Sequence, residues 1–260
     1  MYAGNDVSPT LQAAYDEQYT DESAPWRELC ARYKADNIEA VCSGRRFGRV
    51  LECGAGEGSI LKYLEADGFC SELAAIEISD SGLRQIEKRR LRSLRDLCKF
   101  DGYQIPFPDA SFELAYCSHV IEHVEHPRIL LRELRRVARY QVFEVPLDYA
   151  PGVDRNSTHY LSYGHISVFT PATFKFLLKS EGFEVLQERF TRNAAQVIRF
   201  NWYKNMGLRR NWPGELKLML WPLYRAARRL QLGAGLFREL EFSAYTCLTH
   251  ATGRLQIFKS

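Results

Sequence analysis

Long apolar runs are missing from this chain. A bilayer span needs about 20 consecutive apolar residues, and no such stretch is present. The polar N-terminal region also carries no secretory h-region. Charge of one sign is scarce: formal net charge is only +3, which gives no global case for nucleic-acid binding. The cysteines (Cys30, Cys42, Cys53, Cys70, Cys98, Cys117 and Cys247) are odd in number and include no CxxC pair. Disulfide frameworks and zinc sites use paired spacings, so buried thiols in a reducing compartment are expected instead. Together these absences predict a cytoplasmic protein. The HExxH pattern of helical zinc sites is absent too.

What is present is a core. The chain has 260 residues, 46% of them hydrophobic, enough for one compact domain with an appendage. Its organising stretch is Arg49 to Ile60, RVLECGAGEGSI. Val50 and Leu51 lead into Glu52, and glycines follow at 54, 56 and 58. A buried strand turning sharply into a helix needs such glycines, and the open N–H groups of that helix then face a ligand. The spacing is GxGxG, not the dinucleotide GxGxxG, which counts against a nicotinamide-dependent oxidoreductase.

On either side, short apolar strands alternate with helices. A helix is predicted over Trp26–Val41, then one from Ser59 to Asp67 stopped by Gly68. Leu73–Ile78 reads as a second strand, carrying Glu77 where an acid can grip ribose hydroxyls. The next helix, Asp80–Ser93, is dense in Arg84, Lys88, Arg89, Arg90, Arg92 and Arg95, taken as a solvated face. Strands follow at Leu97–Phe100, Phe112–Cys117 and Tyr140–Val145, with a helix at Glu122–Ala138. Thr170–Glu181 is a capped helix, and Phe183–Arg189 a sixth strand. Ser243–Thr249 reads as the last strand and 255–258 as a tail. Such alternation is an α/β pattern with a parallel sheet, whose ligands sit beyond the C-terminal strand ends.

Two segments break the repeat. Residues 147–168 are rich in His and Tyr, with His159, Tyr160 and His165 over the expected acceptor pocket. Residues 199–232 carry Lys204, Arg209, Arg210, Lys217, Arg225, Arg228 and Arg229 against one acid, Glu215. Three readings of that segment stay open. Its arginines meet solvent while Trp202, Trp212, Trp221 and Tyr224 pack on the core; or it caps an anionic or sugar-linked acceptor; or it lies on a membrane surface. Pro213 and Pro222 interrupt any long helix there, which weakens the third. At the other end, Tyr15, Tyr19 and Trp26 are either core packing or the edge of a lid.

The combined motifs resemble class I S-adenosylmethionine-dependent methyltransferases of the type-11-like small-molecule branch. VLECGAGEGS is similar to that family's first motif, with Glu52 for its Asp and Ala55 for its usual Cys. The resemblance implies a Rossmann-like, seven-stranded, mostly parallel sheet of order 3-2-1-4-5-7-6. Helices would cover both faces, with a helical insertion between strands 6 and 7. It divides the chain into an N-terminal helical lid (1–45), a core (46–198), a basic helical insertion or cap (199–240) and a closing strand (241–260). It places Glu52 under the methionyl ammonium, with Gly54, Ala55 and Gly56 beside it. Glu77 and Ile78 fall at the ribose, Asp101, Gly102 and Tyr103 (DGYQIPF) at the adenine, and Ser118 and His119 (SHVIEH) beside the cofactor.

Methyl transfer to an oxygen or nitrogen nucleophile needs alignment and sometimes proton removal. His119, His159, His165 and Tyr160 are the candidates, and His123 is expected to pack or cap. The pair His119/His123 is half a metal spacing only, and no metal is expected. The predicted acceptor is a small molecule, anionic or sugar-like, for a monomer or homodimer. An acceptor carried on a lipid, or a non-catalytic binder of the cofactor, is the alternative. No Asn-Pro-Pro-Tyr-type sequence follows strand four, so a nucleic-acid substrate lacks support.

Overall fold

A computed structural model describes residues 13–16, 19, 24–149, 153–162 and 164–253. Tyr2 and the expected tail at 255–258 lie outside the described residues. The chain order is α1 (Ala24–Val41), β1 (Phe47–Cys53), α2 (Ser59–Ala66), β2 (Cys70–Glu77), α3 (Asp80–Arg89), β3 (Leu94–Lys99) and β4 (Phe112–Ser118). Then come α4 (Pro127–Val137), β5 (Ala138–Pro146), α5 (Ser157–Ser162), α6 (Pro171–Ser180), β6 (Phe183–Thr191), α7 (Ala195–Phe200), α8 (Trp212–Leu240) and β7 (Ala244–Ala251).

The strands form one seven-stranded sheet in the order β3-β2-β1-β4-β5-β7-β6, the order expected. Pairs from β3 through β5 are parallel, and β7 runs antiparallel to both β5 and β6. Strand side chains alternate faces, so each interior strand feeds two cores. Leu51, Cys53, Ala115 and Cys117 pack with Leu130, Leu134, Phe174 and Leu178 of α4 and α6. Val50, Ala75, Leu114 and Tyr116 pack with Ala31, Ile38, Leu61, Leu64 and Ile86 of α1, α2 and α3. The small residues Ala31 and Ala35 let α1 lie close to the sheet, so that part of the expected lid belongs to the core layer. All seven cysteines are free thiols.

Several boundaries differ from the sequence reading, each for a local reason. α3 stops at Arg89 because Arg90 adopts a left-handed conformation (φ 51°) that ends the helix. The helix predicted from Glu122 begins instead at Pro127, whose fixed φ suits a first helical turn. Residues Ile121–His123 form a single 3₁₀ turn. Pro213 sits in the first turn of α8, where a missing N–H costs nothing, and Pro222 lies inside the helix without ending it. The break falls at Gly233 (φ 71°, ψ 164°). Nor do all the insertion's aromatics pack on the core: Trp212 is 75% and Tyr224 55% exposed. Leu223 and Leu230 are exposed beside them. Among the described residues, no helix is long and apolar enough to cross a membrane.

Candidate active site

The C-terminal ends of β1, β2, β4 and β5 converge on a cavity of 850 Å³. Its floor is the turn between β1 and α2. Gly54, Gly56 and Gly58 all take positive φ (74°, 56° and 75°). A Cβ on Gly54 would stand 2.5 Å from Val120 Cγ2, so the turn is closed to any side chain there. Glu77, at the end of β2, ties the turn down: Gly56 N donates to its Oε2 (2.7 Å) and Ser79 N to its Oε1 (3.0 Å). From below, Arg89 donates from Nε to the Glu57 carbonyl (2.6 Å) and from Nη2 to Ser59 Oγ (2.6 Å). Of the basic run read as solvated, this one side chain therefore turns inward.

Every expected cofactor residue except Asp101 lines this cavity: Glu52, Gly54, Ala55, Gly56, Glu77, Ile78, Gly102, Tyr103, Ser118 and His119. Asp101 lines a smaller cavity beside it. Its Oδ1 accepts from the amides of Tyr103 (2.8 Å) and Gln104 (2.6 Å), which fixes the turn that carries Gly102. The Ser118 hydroxyl donates to Glu144 Oε2 (2.7 Å), and Asn37 Nδ2 to Glu144 Oε1 (2.7 Å). His119 closes β4 in a left-handed conformation (φ 55°), unusual for a residue with a Cβ. Tyr15, Tyr19 and Trp26 form the N-terminal wall, with the Tyr19 ring 3.1 Å from where a Gly56 Cβ would be.

Two of the candidate proton-handling residues, His165 and Tyr160, meet at Asp148. His165 Nδ1 lies 2.6 Å from Asp148 Oδ2, and the Tyr160 hydroxyl donates to the Asp148 carbonyl (2.9 Å). His159 belongs to α5, and its side chain lies outside the described residues. His123 Nδ1 is 2.9 Å from the Gly164 carbonyl oxygen. Lys34 and Arg192 also line the cavity. Lys34 makes no ion pair among the described residues, and Arg192 Nε is buried without a partner although Nη2 reaches Glu241 (3.2 Å). Sequence reasoning missed Lys34, Arg192, Glu144 and Asp148, whose isolated charges carry no spacing signal.

Four carboxylates, Glu52, Glu77, Glu122 and Glu144, are each at most 3% exposed. Burial pushes Glu52 up to about 8, with the Tyr116 hydroxyl pulling the other way and Glu77 reinforcing the rise. Burial raises Glu77 as well, against its backbone hydrogen bonds. Glu52 Oε2 has no hydrogen-bond partner. A buried carboxylate with one unpartnered oxygen beside a glycine turn fits a ligand that brings its own positive charge, such as the ammonium and sulfonium of S-adenosylmethionine. Burial drags His119 down to about 3, so it is neutral near pH 7. For His165 burial acts downward, but Asp148 and Glu122 outweigh it and the net shift is upward.

Glu52 gives a stability prediction with a definite sign. Its folded-state value lies above the usual 4.5, so folding takes up a proton between about pH 4.5 and 8. The contribution is fully present below 4.5 and is lost as pH rises through 8. For the cofactor-free chain, stability should fall across that window, by about 1.4 kcal/mol per pH unit at the steepest. In Glu52→Gln the fall should flatten; thermal melts showing the same slope in both proteins would rule out this assignment.

Comparison with known proteins agrees with the geometry. A family model described as a methyltransferase domain matches residues 24–188. Malonyl-[acyl-carrier protein] O-methyltransferase of Halorhodospira halophila is 32% identical over 123 residues, 46% of this chain and 40% of that protein. Demethylmenaquinone methyltransferase of Thermotoga maritima is 23% identical over 176 residues, 58% of this chain and 76% of that one. The chain spans about half or less of the length of several curated relatives. Among solved structures, the [4+2]-cyclase SpnF superimposes with a TM-score of 0.63 at 14% identity, over 96% of this chain and 98% of that one. A methyltransferase in complex with the Haloferax volcanii activator Trm112 gives 0.62 at 12% identity, over 94% and 99%. These two share the fold, and the family match covers the whole cofactor cavity floor. The chain belongs to the methyltransferase domain family, the class I enzymes that bind S-adenosylmethionine.

Proposed function

We propose that the chain transfers the methyl group of S-adenosylmethionine to an oxygen of a small anionic metabolite, a carboxylate above all. The observation that carries this reading is the pair of cations that line the cavity, Lys34 and Arg192. Lys34 has no ion-pair partner among the described residues, and Arg192 keeps an unpartnered buried Nε. A buried N–H of this kind costs free energy unless a ligand accepts from it. The names of the O-methyltransferase relatives support an oxygen acceptor, and those of the quinone relatives a small molecule.

The bound cofactor supplies an electrophilic methyl on a sulfonium. The chain's own residues then have three tasks. Glu52, Glu77 and the glycine turn hold the donor in one pose, which removes orientational freedom before reaction. Tyr15, Tyr19 and Trp26 screen the pocket from water. Lys34 and Arg192 draw the acceptor's anionic group into line. His119 is too weak a base to keep a proton at neutral pH, but it can accept a hydrogen bond and orient the acceptor. A carboxylate is already ionised there and needs no base.

A labelled-methyl screen tests the reading with free carboxylic acids, sugar phosphates, amines and neutral alcohols as acceptors. One further arm presents lipid-borne phosphates in vesicles, because the exposed apolar side chains of α8 offer a surface for them. We expect transfer to the acids. Lys34→Met should lower kcat/KM for the acid about ten- to a hundredfold and leave S-adenosylhomocysteine binding unchanged, the loss expected of one charged contact. Transfer confined to neutral alcohols, or none with cofactor bound, would overturn the acceptor assignment.

A further inference from the structure

Glu122 is the least accounted-for group in the molecule. It is fully buried, and neither carboxylate oxygen has a hydrogen-bond partner. A buried carboxyl left this way is costly unless something charged meets it. Three histidines approach it: His119, with Nδ1 3.3 Å from Glu122 Oε1, and, from different parts of the chain, His123 in the turn after β4 and His165 in the loop before α6. Ligand atoms of Glu122, His123 and His165 all lie within 4.8 Å of one another. His123 Nε2 is 3.9 Å from Glu122 Oε1, and the His123 and His165 imidazoles meet edge to face with centroids 4.9 Å apart.

The outer contacts of both rings are matched. The Gly164 carbonyl oxygen can only accept, so His123 carries its proton on Nδ1 and its lone pair on Nε2, the atom that faces Glu122. His165 has Nδ1 on the Asp148 carboxylate at 2.6 Å, which puts its lone pair on Nε2 as well. Carbonyl–histidine and carboxylate–histidine pairs of this kind orient the rings of metal-binding histidines. Gly164, at φ +76°, sets the carbonyl in place; a Cβ there would stand 3.3 Å from His123 Nδ1. Both histidines line the large cavity, which gives an ion a way in.

We propose that Glu122, His123 and His165 bind one divalent first-row cation at the wall of the cavity. Two nitrogens and a carboxylate suit zinc, manganese or iron better than magnesium or calcium, which favour all-oxygen sets. Tetrahedral ligands at about 2.1 Å from the ion stand about 3.4 Å apart, so a contraction of about 1 Å in side-chain positions closes the site. Three protein ligands leave a coordination position toward the cavity. His165 then acts as a ligand, not as the proton acceptor expected from the sequence. The i,i+4 pair His119/His123 is not the pair used: His123 instead joins Glu122 beside it and His165, which folding brings from a distant loop.

The experiment uses the full chain after treatment with a chelator. Calorimetric titration with Zn²⁺ and Mn²⁺, and the electron paramagnetic resonance of added Mn²⁺, should show one site per chain of micromolar affinity or tighter. Mg²⁺ should bind far more weakly. Glu122→Gln and His165→Gln should each weaken that site at least a hundredfold, while His250→Gln, at the opposite end of β7, leaves it unchanged. S-adenosylhomocysteine binding by each variant checks that the fold survives and is independent of the ion. No stoichiometric site in the unaltered chain overturns the proposal, as does unaltered affinity in folded Glu122→Gln.

Discussion

Replacing Glu77 with alanine lowers the affinity for S-adenosylhomocysteine by at least about a hundredfold, read by calorimetry. Two losses add. The carboxylate holds the amides of Gly56 and Ser79 at 2.7 and 3.0 Å, so its removal leaves two sheltered N–H donors unpaired. Each costs about 1–3 kcal/mol, part of it relieved if the turn opens to water. On the ribose contact that the resemblance implies, the diol also loses a charged acceptor, worth about 1.5–3 kcal/mol. Because the same side chain shapes the empty turn, the variant should melt lower even without ligand. Glu77→Gln keeps one acceptor but turns an amide toward the other N–H, so it should fall between the two. Affinity within about threefold of the parent would mean that the ribose contact lies elsewhere.

Gly82→Ala should also be damaging, although residue 82 does not line the cavity and is not strained. A Cβ there would meet the Gly56 carbonyl oxygen at 2.5 Å and Glu77 Cγ at 2.9 Å. Backbone cannot swing aside as a side-chain tip can, so α3 must retreat from the glycine turn or the turn must shift. Overpacking of this kind costs about 1–3 kcal/mol, which corresponds to a drop of several degrees in Tm for a chain of this size. The displaced turn should also weaken S-adenosylhomocysteine about tenfold or more. Gly68→Ala is the comparison: nothing lies within 4 Å, but φ is +59°. It should lower Tm by strain alone and leave the affinity unchanged. Equal affinities for both variants would show that the contact between α3 and the turn does not control the seat.

Much of this site is legible in the sequence because it is built from local patterns. The β1–α2 turn announces itself by glycine spacing, and Glu77 by its place at a strand end one helix later. The sheet follows from short apolar runs separated by amphipathic ones. What stayed hidden depends on distant partners. Arg89 sits in a basic run that reads as solvent-facing, yet its partners Glu28, Glu57 and Ser59 come from α1 and the glycine turn. Lys34 looks like any exposed lysine of an amphipathic helix until the cavity forms beside it. Glu144 sits in an apolar strand and becomes intelligible only through Asn37, Ser118 and Thr246. Pro222 misled for the opposite reason: proline weakens a helix locally, but the flanking turns carried α8 through it.

The connection between β6 and β7 begins and ends at one point. Thr191, the last residue of β6, pairs with Ala244, the first of β7, and Ser243 N donates to the Thr191 carbonyl (2.9 Å). The whole basic excursion is thus a loop whose two ends are already stitched together by the sheet. Lengthening such a loop costs only about 0.6 kcal/mol per doubling, and no residue of the glycine turn lies within it. The stretch of cavity wall that the excursion supplies through Arg192, Asn193, Ala194 and Val197 can therefore vary without altering the strand ends that carry the glycine turn.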